Sequence, residues 1–80
     1  MISKEVEKKI FELFSDLMNV SIENLNNKSN PDNIENWDSL SHVKIIMLIE
    51  HHFNIELSPD EAMEIFSIGD AVKIVTSKMK

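Results

Sequence analysis

From Ser39 to Phe53 the chain reads "SLSHVKIIMLIEHHF", without a glycine or a proline to interrupt it. No other stretch restricts the fold as strongly. Set on a helix at about 100° per residue, Ile45, Ile46, Ile49 and Phe53 gather on one side and make a core face. Leu40, Val43 and Met47 fall on a second arc, on the side that Glu50 and Ser39 share. One arc beyond what a core needs is a candidate binding stripe. The rest of the chain offers one Gly and two Pro in 80 residues, with 42% apolar side chains. That composition argues against a turn-rich all-β protein and against wholesale disorder, and predicts an all-α domain spanning residues 1–80.

Three further helices are predicted. "SKEVEKKIFELFSDLM" has Ser3 placed as an N-cap, Glu5 and Glu7 in the positive first turn, and apolar residues at Val6, Ile10, Leu13, Phe14 and Leu17. In "LSPDEAMEIF", Ser58, Pro59 and Glu61 sit at N-cap, N1 and N3, a capping box with proline where a helix start favours it. That third helix must be short, because Ser67 with Asp70 three residues on reads as another start, leading into "IGDAVKIVTSKM". Ala71, Val72, Ile74 and Val75 are then available for the core, while Lys73, Lys78 and Lys80 suit the negative end of the last helix. Between the first two helices, residues 19–37 hold seven Asn and Pro31. They read as a long loop, with Val20, Ile22, Leu25 and Ile34 tacked onto the core. The expected architecture is a small four-helix bundle with a long loop after helix I and a short helix III.

Charge and size exclude several kinds of function. Eight Lys, no Arg and fourteen Asp plus Glu leave a net charge of −6, the wrong sign for binding nucleic acid through its phosphates. The longest apolar run, Ile45 to Ile49, is far short of the ~20 residues that a membrane span needs, and "MISKEVEKKI" lacks the apolar core of a signal peptide. A cytoplasmic monomer is expected. A chain of this length buries only about 60% of its unfolded surface, so a deep enclosed active site is not expected. With no Cys there is no disulfide, thiolate metal site or cysteine nucleophile. Any thiol chemistry must come from a group brought in from outside.

Ser39 lies between Asp38 and Leu40 at the start of the most apolar helix. Asp38 and Ser39 both suit a helix cap, which satisfies the orphan N–H groups of a first turn. A serine there also places its oxygen where the helix dipole favours an attached phosphate. A hydrolase built on Ser39 and His42 would need the G-x-S-x-G elbow, and Trp37 and Ser41 stand in the glycine positions. An EF-hand loop begun at Asp32 fails at Ile34, Trp37 and Val43. His51 and His52 are adjacent on a helix and point about 100° apart, so they do not form a zinc pair.

At "DSL", Asp38 to Leu40, the sequence resembles the acyl carrier protein family, the four-helix bundles that bear phosphopantetheine in fatty-acid, polyketide and related pathways. The likeness continues through Phe53, Ile55 and Glu56, a family-like "FxIE", and through "GDAV" at Gly69 to Val72. Residues 3–25 fit more loosely. The resemblance implies that Ser39 receives 4'-phosphopantetheine from coenzyme A through a separate phosphopantetheinyl transferase. Acyl or aminoacyl groups would then ride on the arm as thioesters and be presented to partner enzymes. The protein itself would not be an enzyme. The resemblance also makes helix II the recognition surface, with Asp38, Leu40, Val43, Lys44 and Met47 as contacts and Ile68 as a weaker one. Residues 38–70 hold seven acids against Lys44 alone, an excess that would steer partners with basic docking patches.

Several positions depart from the fatty-acid carriers. They commonly show Gly-Ala before the Asp-Ser-Leu, where this chain has Asn36-Trp37, and acidic residues where it has Ser41, Lys44, His51 and His52. The "WDSL" form resembles stand-alone carriers of dedicated biosynthetic pathways. That reading is preferred, with a general fatty-acid carrier as the alternative. A third reading, from another class, is an unmodified acidic helical adaptor that binds partners through helix II. Trp37 is expected to pin the loop to the bundle rather than to touch the arm, and His42 to be packed and hydrogen-bonded, without a catalytic role.

Overall fold

The computed structural model of the protein describes residues 4–79. The described residues form four α-helices and no strand: α1 (Lys4–Met18), α2 (Ser39–Phe53), α3 (Pro59–Met63) and α4 (Ile68–Lys78). The predicted cap at Ser3 and the charge at Lys80 lie outside the described residues.

Helix α1 is the spine. Val6, Ile10, Phe14 and Met18 recur every four residues and are all buried, so α1 presents one unbroken ridge. α2 meets it with Ile45 and Ile49, and α4 with Ile68, Ala71, Val72 and Val75. Ile46, Phe53 and Ile74 lie at the margin of this core, half-buried. Leu13 and Leu17 of α1 do the same, and Met18, absent from the predicted set, is fully buried.

The helix ends follow local chemistry. Asp38 in extended backbone caps α2, its Oδ1 accepting from the Ser41 N–H at 2.8 Å. Ser58 and Glu61 complete the capping box of α3 reciprocally, at 3.1 and 2.9 Å. Ser67 Oγ accepts from the Asp70 N–H to start α4. At the other ends, Asn19 and Asn54 adopt left-handed backbone (φ 56° and 55°) and stop α1 and α2. Asparagine tolerates that conformation, so a chain with one glycine still closes two helices this way.

The connection from residue 19 to 37 is long, as expected, but it is far from structureless. It contains a 3₁₀ turn (Ile22–Asn24) and a series of side-chain-to-backbone bonds. Asn26 Oδ1 accepts from the Lys28 N–H, Asn30 Oδ1 from Asp32, and Asn33 Oδ1 from Asn30. Asn36 donates its amide to the Met18 carbonyl at 2.7 Å, closing the end of α1. The asparagines that marked the loop in sequence are what order it. Leu25, Ile34 and Trp37 are buried beneath it, Val20 is half-buried, and Ile22 is exposed, contrary to expectation. The loop is latched to α4 by the N–H groups of Ile68 and Gly69, which donate to the carbonyls of Ser29 and Asn27 at 3.0 and 2.9 Å.

Candidate functional site

Because Asp38 is the cap, Ser39 is the first residue of α2 and is exposed. Among the described residues none hydrogen-bonds its hydroxyl. The two roles weighed for this pair therefore separate: Asp38 does the capping, and Ser39 is left with an open hydroxyl at the positive end of the helix dipole. Hydrogen bonding, first of all from the Ser41 backbone N–H, holds the Asp38 carboxyl below its ordinary pKa of 3.8.

At the serine lies an open groove of about 500 Å³, lined by Ser39 with Pro31, Trp37, Asp38 and His42, and by Met63, Ile65 and Phe66. Trp37 is buried against Phe14 of α1, ring centroids 4.9 Å apart. It pins the loop to the bundle, as its size and position suggested. Its Nε1–H donates to His42 Nδ1 at 3.0 Å, and His42 Nε2 lies 3.0 Å from the Ala62 carbonyl. His42 is thus hydrogen-bonded on both ring nitrogens. The two rings lie within 15° of parallel with centroids 6.1 Å apart, the separation of an in-plane hydrogen bond and not of face stacking.

The second arc of α2 faces solvent. Leu40 is 64% exposed, Val43 55% and Met47 61%, with Lys44 exposed among them. Ile68 does not join them. It is fully buried at the start of α4, within the core, so it offers no surface to a partner. The exposed apolar side chains near α3 are instead Met63 at 71% and Phe66 at 68%, both lining the groove. Sequence periodicity could not find them, since α3 spans five residues, too few to define a face. Glu50, expected on the exposed arc, turns its carboxylate to the Leu57 N–H at 2.9 Å and ties the α2–α3 connection.

Comparison with known proteins defines the class first. Residues 8–75 match the family model described as "Phosphopantetheine attachment site". A curated acyl carrier protein from Porphyromonas gingivalis is 34% identical over 76 residues, covering 95% of this chain and 97% of its own. One from Prochlorococcus marinus is 37% identical over 79 residues, covering 98% of each. The solved acyl carrier protein from Enterococcus faecalis superposes with a TM-score of 0.79 at 26% identity, over 98% of this chain and 99% of that one. The chain belongs to the acyl carrier protein family, whose members carry phosphopantetheine and meet the enzymes that modify them and handle their acyl groups. Among the described residues no helix is long and apolar enough to cross a membrane.

Proposed function

We propose that Ser39 is the phosphopantetheine attachment residue and that the chain presents acyl or aminoacyl groups to the enzymes of a dedicated biosynthetic pathway. The observation that carries this reading is the Ser39 hydroxyl, exposed at the first position of α2 and free of hydrogen bonds within the described residues. A transferase needs such an oxygen to reach the phosphate of coenzyme A, and a serine locked in a cap would have to break its bond first. The helix dipole at this position stabilises a phosphodiester. Asp38 keeps the first turn closed while leaving that oxygen alone. The arm itself supplies a terminal thiol on which the cargo rides as a thioester, which is why a chain without cysteine can do this work.

Leu40, Val43 and Met47 supply an apolar contact for partners, and Asp38 and the acids that follow it draw basic docking patches toward it. Lys44 within that stripe selects among them, since it repels part of a basic patch. Trp37, Ser41 and Lys44 favour a dedicated pathway. The names of the similar curated proteins favour the second reading, a general fatty-acid carrier.

The test is intact mass after incubation with coenzyme A and a broad-specificity phosphopantetheinyl transferase, run beside Ser39→Ala with circular dichroism on both. The parent should gain the mass of one phosphopantetheine and the folded variant none. A parent that gains nothing with several transferases would leave the unmodified adaptor as the account. Loading of the modified protein by an adenylating enzyme but not by a fatty-acid malonyl transferase would separate the two pathways.

A further inference from the structure

Helix α3 is the least anchored element among the described helices. It has five residues and none of them is buried. It makes little more than one helical turn, opened by the Ala62 N–H on the Ser58 carbonyl and closed by the Glu64 N–H on that of Asp60. Such a segment opens readily unless something outside it holds it. Among the described residues, two polar ties reach it from the bundle. Lys78 of α4 meets Glu61 at 2.8 Å, an ion pair between partly exposed groups and therefore weak. The other is His42 of α2, whose Nε2 lies 3.0 Å from the Ala62 carbonyl.

The chemistry of that second tie is fixed by its other end. Indole Nε1 is a donor only, so His42 Nδ1, at 3.0 Å from Trp37 Nε1, must accept. The ring proton then sits on Nε2, where the Ala62 carbonyl, an acceptor only, requires it. Trp37 in turn is held by burial against Phe14 of α1. A chain of contacts thus runs from the spine of the bundle through Trp37 and His42 to the middle of α3.

We propose that His42 is a positioning residue for the groove beside Ser39: it holds α3 at a set distance from α2, and Trp37 fixes the ring proton that makes the hold. Trp37 and His42 line that groove together with Met63, Ile65 and Phe66. The hydrogen bond from His42 to Ala62 joins α2 to the residue before Met63, so it fixes how these two sets of lining residues sit relative to each other. The tie acts in the unmodified chain and does not depend on which residue is modified.

Amide hydrogen exchange on the unmodified protein tests it, with His42→Asn and His42→Gln. Asparagine places its carbonyl oxygen near the position of Nδ1 and can still accept from Trp37, but cannot reach Ala62. Glutamine places an amide nitrogen near Nε2 and can still donate to Ala62. Exchange at Ala62, Glu64 and Ile65 is expected to quicken about fivefold in the asparagine variant, the worth of one hydrogen bond, and to stay within about twofold of the parent in the glutamine variant. The indole N–H resonance of Trp37 should remain near its parent position in the asparagine variant. If both variants fold and α3 exchanges alike in them, whether slowly or fast, the tie is not what positions the helix and the proposal fails. Should either variant not fold, the ring nitrogen resonances of His42 in the parent decide: a proton on Nε2 and none on Nδ1 is expected, and the opposite tautomer, which cannot donate to Ala62, would overturn the proposal.

Discussion

Replacing Gly69 by alanine sets two effects of known size against each other. Gly69 is the second residue of α4, and in most exposed helical positions the change would add ~1 kcal/mol of stability through helix propensity. Here a Cβ built on Gly69 would lie 2.8 Å from the Asn27 carbonyl oxygen and 3.2 Å from the Asn27 Cβ. The obstructing oxygen is backbone, and it also accepts the Gly69 N–H at 2.9 Å. To admit the methyl, the loop must retreat by about half an ångström or more, which stretches that bond and strains the neighbouring one from Ile68 to Ser29. Overpacking of ~1–3 kcal/mol and a weakened hydrogen bond of ~1 kcal/mol outweigh the propensity gain and leave Gly69→Ala about 1–3 kcal/mol less stable. In a domain of this size the melting temperature should fall by ~4–8 °C for each kcal/mol. Urea unfolding followed by circular dichroism measures it, with an unchanged slope showing that the denatured state is not involved. Ser77→Ala, at an exposed position of the same helix, serves as the control and should gain a few tenths of a kcal/mol from propensity alone, roughly. A Gly69→Ala protein as stable as its parent would refute the reasoning, because it would mean that the loop yields freely and is not latched to α4.

Two other outcomes follow from the same geometry. The folded-state pKa of Asp38 is depressed, chiefly by the bond from the Ser41 backbone N–H, so its stabilisation is present above the unfolded value and is lost as the pH falls through the lower folded value. Stability should decline on acidification below about pH 4, and Asp38→Asn should flatten that decline in urea unfolding measured across the acid range. Thr76 Oγ1 is buried without a hydrogen-bond partner among the described residues, so Thr76→Val, of nearly the same shape, should raise stability by ~1 kcal/mol in the same measurement.

Much of this fold can be read from sequence, and the reasons are local. α2 announces itself through fifteen uninterrupted residues, and the starts of α3 and α4 through Ser58-x-x-Glu61 and Ser67-x-x-Asp70, because capping depends on residues three apart. The exposed arc of Leu40, Val43 and Met47 follows from helical period alone. What depends on long-range contact is less legible. Ile68 looks like a surface residue at the edge of α3, yet it begins α4 with its N–H on the Ser29 carbonyl and its side chain in the core. Met63 at the end of α3 and Phe66 beyond it are apolar and exposed, and a helix of five residues has no period from which that could be read. The order in residues 19–37 arises from asparagine side chains bonding to particular backbone groups, which composition marks only as a loop. Ser39 was legible as a special position, but its separation from the capping role of Asp38 needed the backbone of residue 38 to be seen.

The burial of Trp37 has an optical consequence. It is the chain's one tryptophan, and there is no tyrosine, so ultraviolet emission excited at the red edge comes from a single known ring. That ring touches Phe14 on one side and the His42 imidazole on another, two residues before Ser39. Its emission wavelength and intensity respond to any change in the polarity or packing of that corner. The protein therefore carries a built-in, label-free fluorophore at the mouth of α2, with which modification, cargo loading and partner docking can be followed in real time.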